Sequence, residues 1–446
     1  VSKPLMMNGF DPSTVETLDP ALRKLITRRA NILGPSYRLF YEKPLHLVRG
    51  EGVWMFDPQG KRYLDVYNNV PAVGHCHPRV VSAIAEQASK LNTHTRYLHE
   101  LILDYAEQLV ATFPPELSNV MFTCTGSETN DLALRVARNA TGGTGVIVTE
   151  TAYHGITTAV AEISPSLGDF VSIGRDVRTI PAPATLHGSE VDVAARFAAN
   201  VRAAADDLRR HGVQVAALVV DTVFSSDGVY TDPAGFLRPA LDAIHEAGGL
   251  FIADEVQAGF GRVGETMWGF QRHGILPDLV VLGKPMGAGM PIAGLIAKEE
   301  VLLDFAAKAR YFNTFGGNPV SCAAGLAVLN VIQDEQLMEN ADKVGRYMKE
   351  GLTSLATRYE RIGEVRGAGL FIGVDLVTDR DTHNPDVNLA TRIVNGLCDR
   401  GILIGASGPR GHVLKVRPPL PFSREHADIF LNALDDTLDE QLHASR

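Results

Sequence analysis

Apolar runs without polar alternation recur through the middle of the chain, at 120–124, 145–149, 215–220, 250–253, 279–282 and 294–297. They are rich in Val, Ile and Leu, the pattern of strands buried on both faces of a mainly parallel sheet. Stretches with helical spacing lie between them, at 132–138, 191–211 and 239–247. Strand and helix therefore alternate, which predicts a three-layer αβα unit. The flanks read differently. Residues 45–66 alternate around Gly-containing turns and predict a hairpin, and a long helical stretch covers 319–358. Strands are expected at 369–376, 402–404 and 413–416, with a helix at 388–400 and a last helix from Ser423. The economical α/β arrangement is a large unit over 66–325 and a smaller α+β unit built from both chain ends, 1–65 and 326–446.

Ligands of parallel α/β sheets bind at the carboxyl ends of the strands. Here the runs end in chemically loaded residues: Thr125-Gly126-Ser127, Tyr153-His154-Gly155, Asp221, Asp254-Glu255-Val256-Gln257 and Gly283-Lys284. Five such endings point to one site along one sheet edge. Thr125-Gly126-Ser127 opens a helical segment and reads equally as an anion cup of free N–H groups or as a plain N-cap. Lys284 leaves the end of a buried strand amid Gly, Ala and Pro. A lysine desolvated in this way offers a nucleophilic amine for a Schiff base, whereas Lys298, followed by two glutamates, is expected to reach solvent. Asp254 can pair with a pyridinium nitrogen, or serve as an N-cap or ion pair. His75-Cys76-His77 has the wrong spacing for a helical metal site and reads as a structural loop, so no metal is expected. Arg28-Arg29 and Arg209-Arg210 read as solvated faces.

Composition narrows the partners. The 446 residues carry 42 basic and 52 acidic side chains, a formal charge of −10, which argues against a nucleic-acid groove. Only 11 of the basic residues are lysine, and none lies between Lys90 and Lys284, so Lys284 has few rivals as an amine nucleophile. Four separated cysteines without a C-x-x-C pair suit a reducing compartment. With no run of about 18 apolar residues and no apolar N-terminal stretch, a soluble cytoplasmic protein is expected, without membrane or nucleic-acid partners.

The cup, the Tyr, the Asp and the Lys occur in an order that resembles the class III aminotransferases, pyridoxal-phosphate enzymes of fold type I. The resemblance spans nearly the whole chain, and DEVQAGFGRVG (254–264) followed by Lys284 is its most specific part. It implies Lys284 as Schiff-base lysine and proton shuttle, with Asp254 on the pyridine nitrogen. It implies Gln257 facing the ring hydroxyl, Tyr153 stacked on the ring with Val256 behind it, and Gly126 and Ser127 on the cofactor phosphate. Thr314, in YFNTFGGNP, would reach the phosphate of a partner subunit, which implies a homodimer with shared sites. The chain departs from the family pattern at Asp221, where Glu is usual in the cofactor site, and at Ser226, where a second Glu often masks a carboxylate-binding arginine. That arginine would be Arg417, left uncovered and suited to a substrate that always carries an anion. Asn69, in NNVPAVGHCHP, is the other candidate substrate contact.

That stretch, with LNTHTRYLH (91–99) and SGPRGHVLK (407–415), is similar to the subgroup holding ethanolamine-phosphate and phosphohydroxylysine phospho-lyases and alanine–glyoxylate transaminases. The implied reaction is β-elimination of phosphate from O-phosphoethanolamine or a related amino-alkyl phosphate, giving aldehyde, ammonia and phosphate. Two other readings remain. One is an ω-aminotransferase using pyruvate or glyoxylate; the other is a non-catalytic anion-binding module on the same fold.

Overall fold

The structure, a computed structural model, describes residues 8–183 and 192–443. The first seven residues, part of the N-terminal stretch read for a leader, and residue 191, the expected start of one helix, lie outside them. Near the N-terminus come three short strands, β1 (Arg49–Glu51), β2 (Trp54–Phe56) and β3 (Arg62–Asp65). The central strands are β4 (Asn119–Thr123), β5 (Gly145–Thr149), β6 (Val177–Ile180), β7 (Val215–Asp221), β8 (Leu250–Asp254), β9 (Leu279–Leu282) and β10 (Ala293–Ala297). Five more follow: β11 (Ile362–Ala368), β12 (Phe371–Leu376), β13 (Ile402–Leu403), β14 (Gly405–Ser407) and β15 (Val413–Val416).

The central strands form one sheet in the order β4-β10-β9-β8-β7-β5-β6. Only β10 runs against the others, pairing antiparallel with β4 and β9. Because successive side chains point to opposite faces, Ala217 and Val219 enter one core with Leu132 and Val136 of the Gly126–Thr141 helix. Leu218 and Val220 enter the other, with Phe197, Val201 and Leu208 of the Val193–Arg210 helix. Both strand faces are dry, which is why these runs show no polar alternation. Each fully buried Val or Leu contributes about 1.5–3 kcal/mol of transfer free energy. The Val193–Arg210 helix starts where Asp192 caps it, accepting from Ala195 N at 3.1 Å.

Two smaller sheets come from the chain ends. One has the order β1-β2-β3-β13, with β13 parallel to β3 so that Leu64 faces Ile402. The other is antiparallel, β11-β12-β15-β14. The β14–β15 hairpin leans on the loop after β7, where Ser407 Oγ donates to Ser225 O at 2.6 Å.

Three expectations need correction. The edge strand β6 is absent from the expected set because half of its four residues are polar. The helical stretch 319–358 is two helices, Pro319–Asp334 and Leu337–Arg358, separated at Gln336, whose φ of 51° breaks the helical path. The strand expected at 369–376 begins at Phe371, and β11 before it was not anticipated. The turn between them needs glycine: Gly369 has φ +54°, and a Cβ there would lie 2.4 Å from the Val263 carbonyl carbon.

Candidate active site

The carboxyl ends of β4, β5, β7, β8 and β9 converge on one cavity of about 100 Å³. Eight of the expected residues line it: Gly126, Ser127, Tyr153, Asp221, Asp254, Val256, Gln257 and Lys284, joined by His154 and Gly155.

Asp254 ends β8 almost wholly buried. Its Oδ2 accepts from Asn130 Nδ2 at 3.0 Å and pairs with His154 Nδ1 at 2.7 Å, which requires the ring proton on Nδ1. Its Oδ1 accepts from Val256 N at 3.1 Å. Among the described residues the buried His154 Nε2 has no hydrogen-bond partner. Neither His154 nor Asn130 stood out in the sequence as a partner of Asp254, because they lie 100 and 124 positions away from it.

The turn after β4 is a capping box. Thr125 Oγ1 accepts from Glu128 N, and Glu128 Oε2 accepts from Thr125 N and from Cys124 N. Gly126 and Ser127 then open the helix with first-turn N–H groups that have no intrahelical acceptor. Cap and cup are thus compatible. Ser127 Oγ accepts from Ile156 N at 3.1 Å, and a Cβ on Gly155 (φ +145°) would fall 2.4 Å from that oxygen, so the two loops meet only through glycine.

Lys284 follows β9 by two residues. Burial lowers the pKa of its amine and Arg417 adds to this, with Asp254 and Asp221 opposing. Asp221 accepts from Val223 N at 3.1 Å, from Ser225 N at 2.9 Å and from the Ser225 hydroxyl, while burial and Asp254 push its carboxyl up. Tyr153 stands partly exposed at the rim and Val256 is buried beneath.

Three expected residues lie outside the cavity lining. Arg417 is buried and reaches the site through Gln257, whose Oε1 accepts from its Nη1. Its Nε and Nη2 donate to Tyr67 O at 3.1 and 2.9 Å. Among the described residues no carboxylate forms an ion pair with Arg417. Asn69 is buried behind the site, donating to Gln257 O at 2.9 Å and accepting from Arg262 Nε at 3.1 Å. Thr314 is exposed on the segment between the Glu299–Lys308 and Pro319–Asp334 helices.

Lys415, on β15, escaped attention in the sequence although the alternation Lys415-Val416-Arg417 was a usable signal. Burial and Arg417 push its amine down to about 7, as Lys284 does to a smaller extent, against Asp221 and Asp227. Lys298 contradicts its expectation. It is mostly covered and pairs with Asp278 at 2.6 Å, across the antiparallel β9–β10 seam. His75 pairs with Asp65 at 2.7 Å, tying the His75–His77 loop to β3. Among the described residues no cluster of metal-binding side chains occurs, and no helix is long and apolar enough to cross a membrane.

A free N–H cup, a buried carboxylate and a desolvated amine around one cavity suit a flat, phosphorylated, basic heteroaromatic group that forms a Schiff base. The Aminotransferase class-III family model matches residues 40–438. An alanine–glyoxylate aminotransferase 2-like protein of Drosophila melanogaster is 41% identical over 421 residues, covering 91% of this chain and 85% of its own. Ethanolamine-phosphate phospho-lyase homolog 1 of Caenorhabditis elegans is 36% identical, covering 96% of each. A solved phospholyase from Arthrobacter in complex with phosphoethanolamine superposes with a TM-score of 0.90 at 45% identity, covering 93% of this chain and 99% of that one.

Proposed function

The chain belongs to the class-III aminotransferases, pyridoxal-phosphate enzymes of fold type I, and within that family we propose that it is a phospho-lyase. Its substrates would be water and O-phosphoethanolamine or a related amino-alkyl phosphate, and its products an aldehyde, ammonia and phosphate. The observation that carries this reading is Arg417, a buried guanidinium at the site that a glutamine rather than a carboxylate covers. A substrate bearing a permanent anion suits such a group. The likeness to a phospholyase bound to phosphoethanolamine supports the same direction.

Bound pyridoxal phosphate supplies the electron sink that makes the carbon beside the substrate nitrogen acidic. In this reading Lys284 would anchor the cofactor, and its Nζ would take the proton from that carbon. Burial lowers the basicity of this amine and so favours the neutral form that accepts a proton. Asp254, held by Asn130 and His154, would keep a proton on the ring nitrogen. Gly126 and Ser127 would hold the cofactor phosphate, and Tyr153, Val256, Gln257 and Asp221, which line the same cavity, would hold its ring. Thr314 is surface-exposed in the single chain and would complete the site of a partner subunit, making the active form a homodimer. The four cysteines, none of them disulfide-bonded, support a reducing compartment, in our reading the cytoplasm. We further assign residues 66–325 to the cofactor-binding unit and 1–65 with 326–446 to the smaller one.

The 41% identity to an aminotransferase-named relative favours a second reading, an ω-aminotransferase acting with pyruvate or glyoxylate. Incubation of the holoenzyme with O-phosphoethanolamine and no keto acid separates the two. Stoichiometric inorganic phosphate and ammonia are expected, and Lys284→Ala should lower the rate by at least about 10³-fold. Absence of phosphate, together with amine-driven bleaching of the cofactor band, would establish the aminotransferase instead.

A further inference from the structure

Two cations approach the reaction centre from the small C-terminal sheet. Lys415 and Arg417 are two positions apart in an extended segment, so they share a face. Arg417 reaches Gln257, which lines the cavity with Lys284, and this identifies the shared face as the one turned to the site. Lys415 sits in the ladder opposite Gly373 of β12 and Gly405 of β14, so neither neighbour places a side chain beside its stem. The charged groups acting on its amine come from three other places: Arg417 beyond its own strand, Lys284 after β9, and Asp221 and Asp227 at and after the end of β7.

Both carboxylates are already engaged. Asp221 is held by Val223 N and by Ser225 through N and Oγ. Asp227 is buried and accepts from the hydroxyls of Thr149 and Thr151. Among the described residues the Lys415 amine forms neither a hydrogen bond nor an ion pair. Lys298, just past the end of β10 in the central sheet, shows the alternative, a lysine that ends on a carboxylate. Lys284, Lys415 and Arg417 thus act on one another at close range with Asp221 as the carboxylate common to all three, and among the described residues neither Lys415 nor Arg417 forms an ion pair, an arrangement that a dianion would relieve.

We propose that Lys415 holds the phosphoryl group of the substrate, closing with Arg417 on the phosphate that leaves. The proposal rests on the phospho-lyase reading and names the group that selects a phosphate monoester over a carboxylate. The depressed basicity of Lys415 adds a signature. Burial and the neighbouring cations push its amine down to about 7, so the grip on phosphate is expected to weaken as pH rises past that value.

The test uses the holoenzyme, whose cofactor phosphate fills the Gly126–Ser127 cup, with inorganic phosphate as the calorimetric probe. Lys415→Met is expected to weaken phosphate binding and raise KM for O-phosphoethanolamine by about tenfold or more, with the cofactor absorption band unchanged. Lys415→Arg should bind phosphate and lose affinity less steeply than wild type from about pH 7 to about pH 9. Wild-type phosphate affinity and KM in Lys415→Met would overturn the proposal. If that variant does not fold, Lys415→Gln with wild-type phosphate affinity and KM would overturn it instead. Wild-type enzyme that releases no phosphate from O-phosphoethanolamine would refute the phospho-lyase reading, and with it Lys415 as a substrate-phosphate ligand. Phosphate calorimetry would still show separately whether Lys415 forms an anion site.

Discussion

Two buried arginines belong to the same small C-terminal region and have opposite surroundings. Arg366, on β11, meets both oxygens of Asp375 at 2.6 and 2.7 Å, donates to Gly228 O and Val229 O, and lies 4.4 Å from the Tyr230 ring centre. Arg417, just past β15, has two contacts to one carbonyl, one to a glutamine, and no carboxylate. Both are about 5% exposed. Burial therefore does not distinguish them; the counterion does. A buried cation supplied with its own anion is a structural tie, and one left without an anion is poised for a ligand.

Exchanging each arginine for methionine gives the strongest test of that contrast. Arg366→Met strands the Asp375 carboxylate and should cost about 3–5 kcal/mol, read from the urea midpoint. Arg417→Met should cost only about 1 kcal/mol of stability while lowering kcat/KM for O-phosphoethanolamine at least about tenfold. Equal stability losses would break the comparison.

The same contrast exists between neighbouring carboxylates at the end of β8. Asp254 faces the cavity. Glu255 faces away and accepts from Thr222 Oγ1, Gly269 N and Phe270 N, yet burial still pushes its carboxyl up to about 7. The native state therefore keeps a proton that the unfolded chain releases near pH 4.5. Stability from this group is full below that pH and falls as pH rises towards 7, by up to about 3 kcal/mol. Glu255→Gln should flatten the fall, measured as urea midpoints across that range; an unchanged slope would assign it to another group.

The smallest effect concerns the support of Asp254. Asn130→Ala removes one of its donors and should lower kcat about fivefold to tenfold with the fold intact, read in steady-state phosphate release. An unchanged kcat would leave His154 and the Val256 amide as sufficient support.

Much of the site was legible because parallel strands announce their own ends. Lys284 and Asp254 each close an apolar run, and the sheet then brings 254 and 284 to one edge. Asn130 and His154 were not legible as a pair of supports, because only strand order brings a helix and a loop to the same carboxylate. Lys298 misled for a related reason: the glutamates beside it in sequence suggested solvent, whereas Asp278 across the antiparallel seam decides its place. Lys415 shows the reverse, since its alternation with Arg417 was visible but acquires meaning only when Gln257 marks which face looks inward. Strand β6 had too little apolar length to register.

The parallel pairing of β3 with β13 has a consequence for how the protein is made. Leu64 leaves the ribosome early, yet its strand partner Ile402 follows about 340 residues later, roughly 17–70 s at ordinary elongation rates. During that interval the β3 edge is an unpaired template while the central sheet is already being synthesised. A nascent chain stalled before residue 402 should therefore engage holdase chaperones through the β1–β3 hairpins, and release should coincide with the emergence of β13.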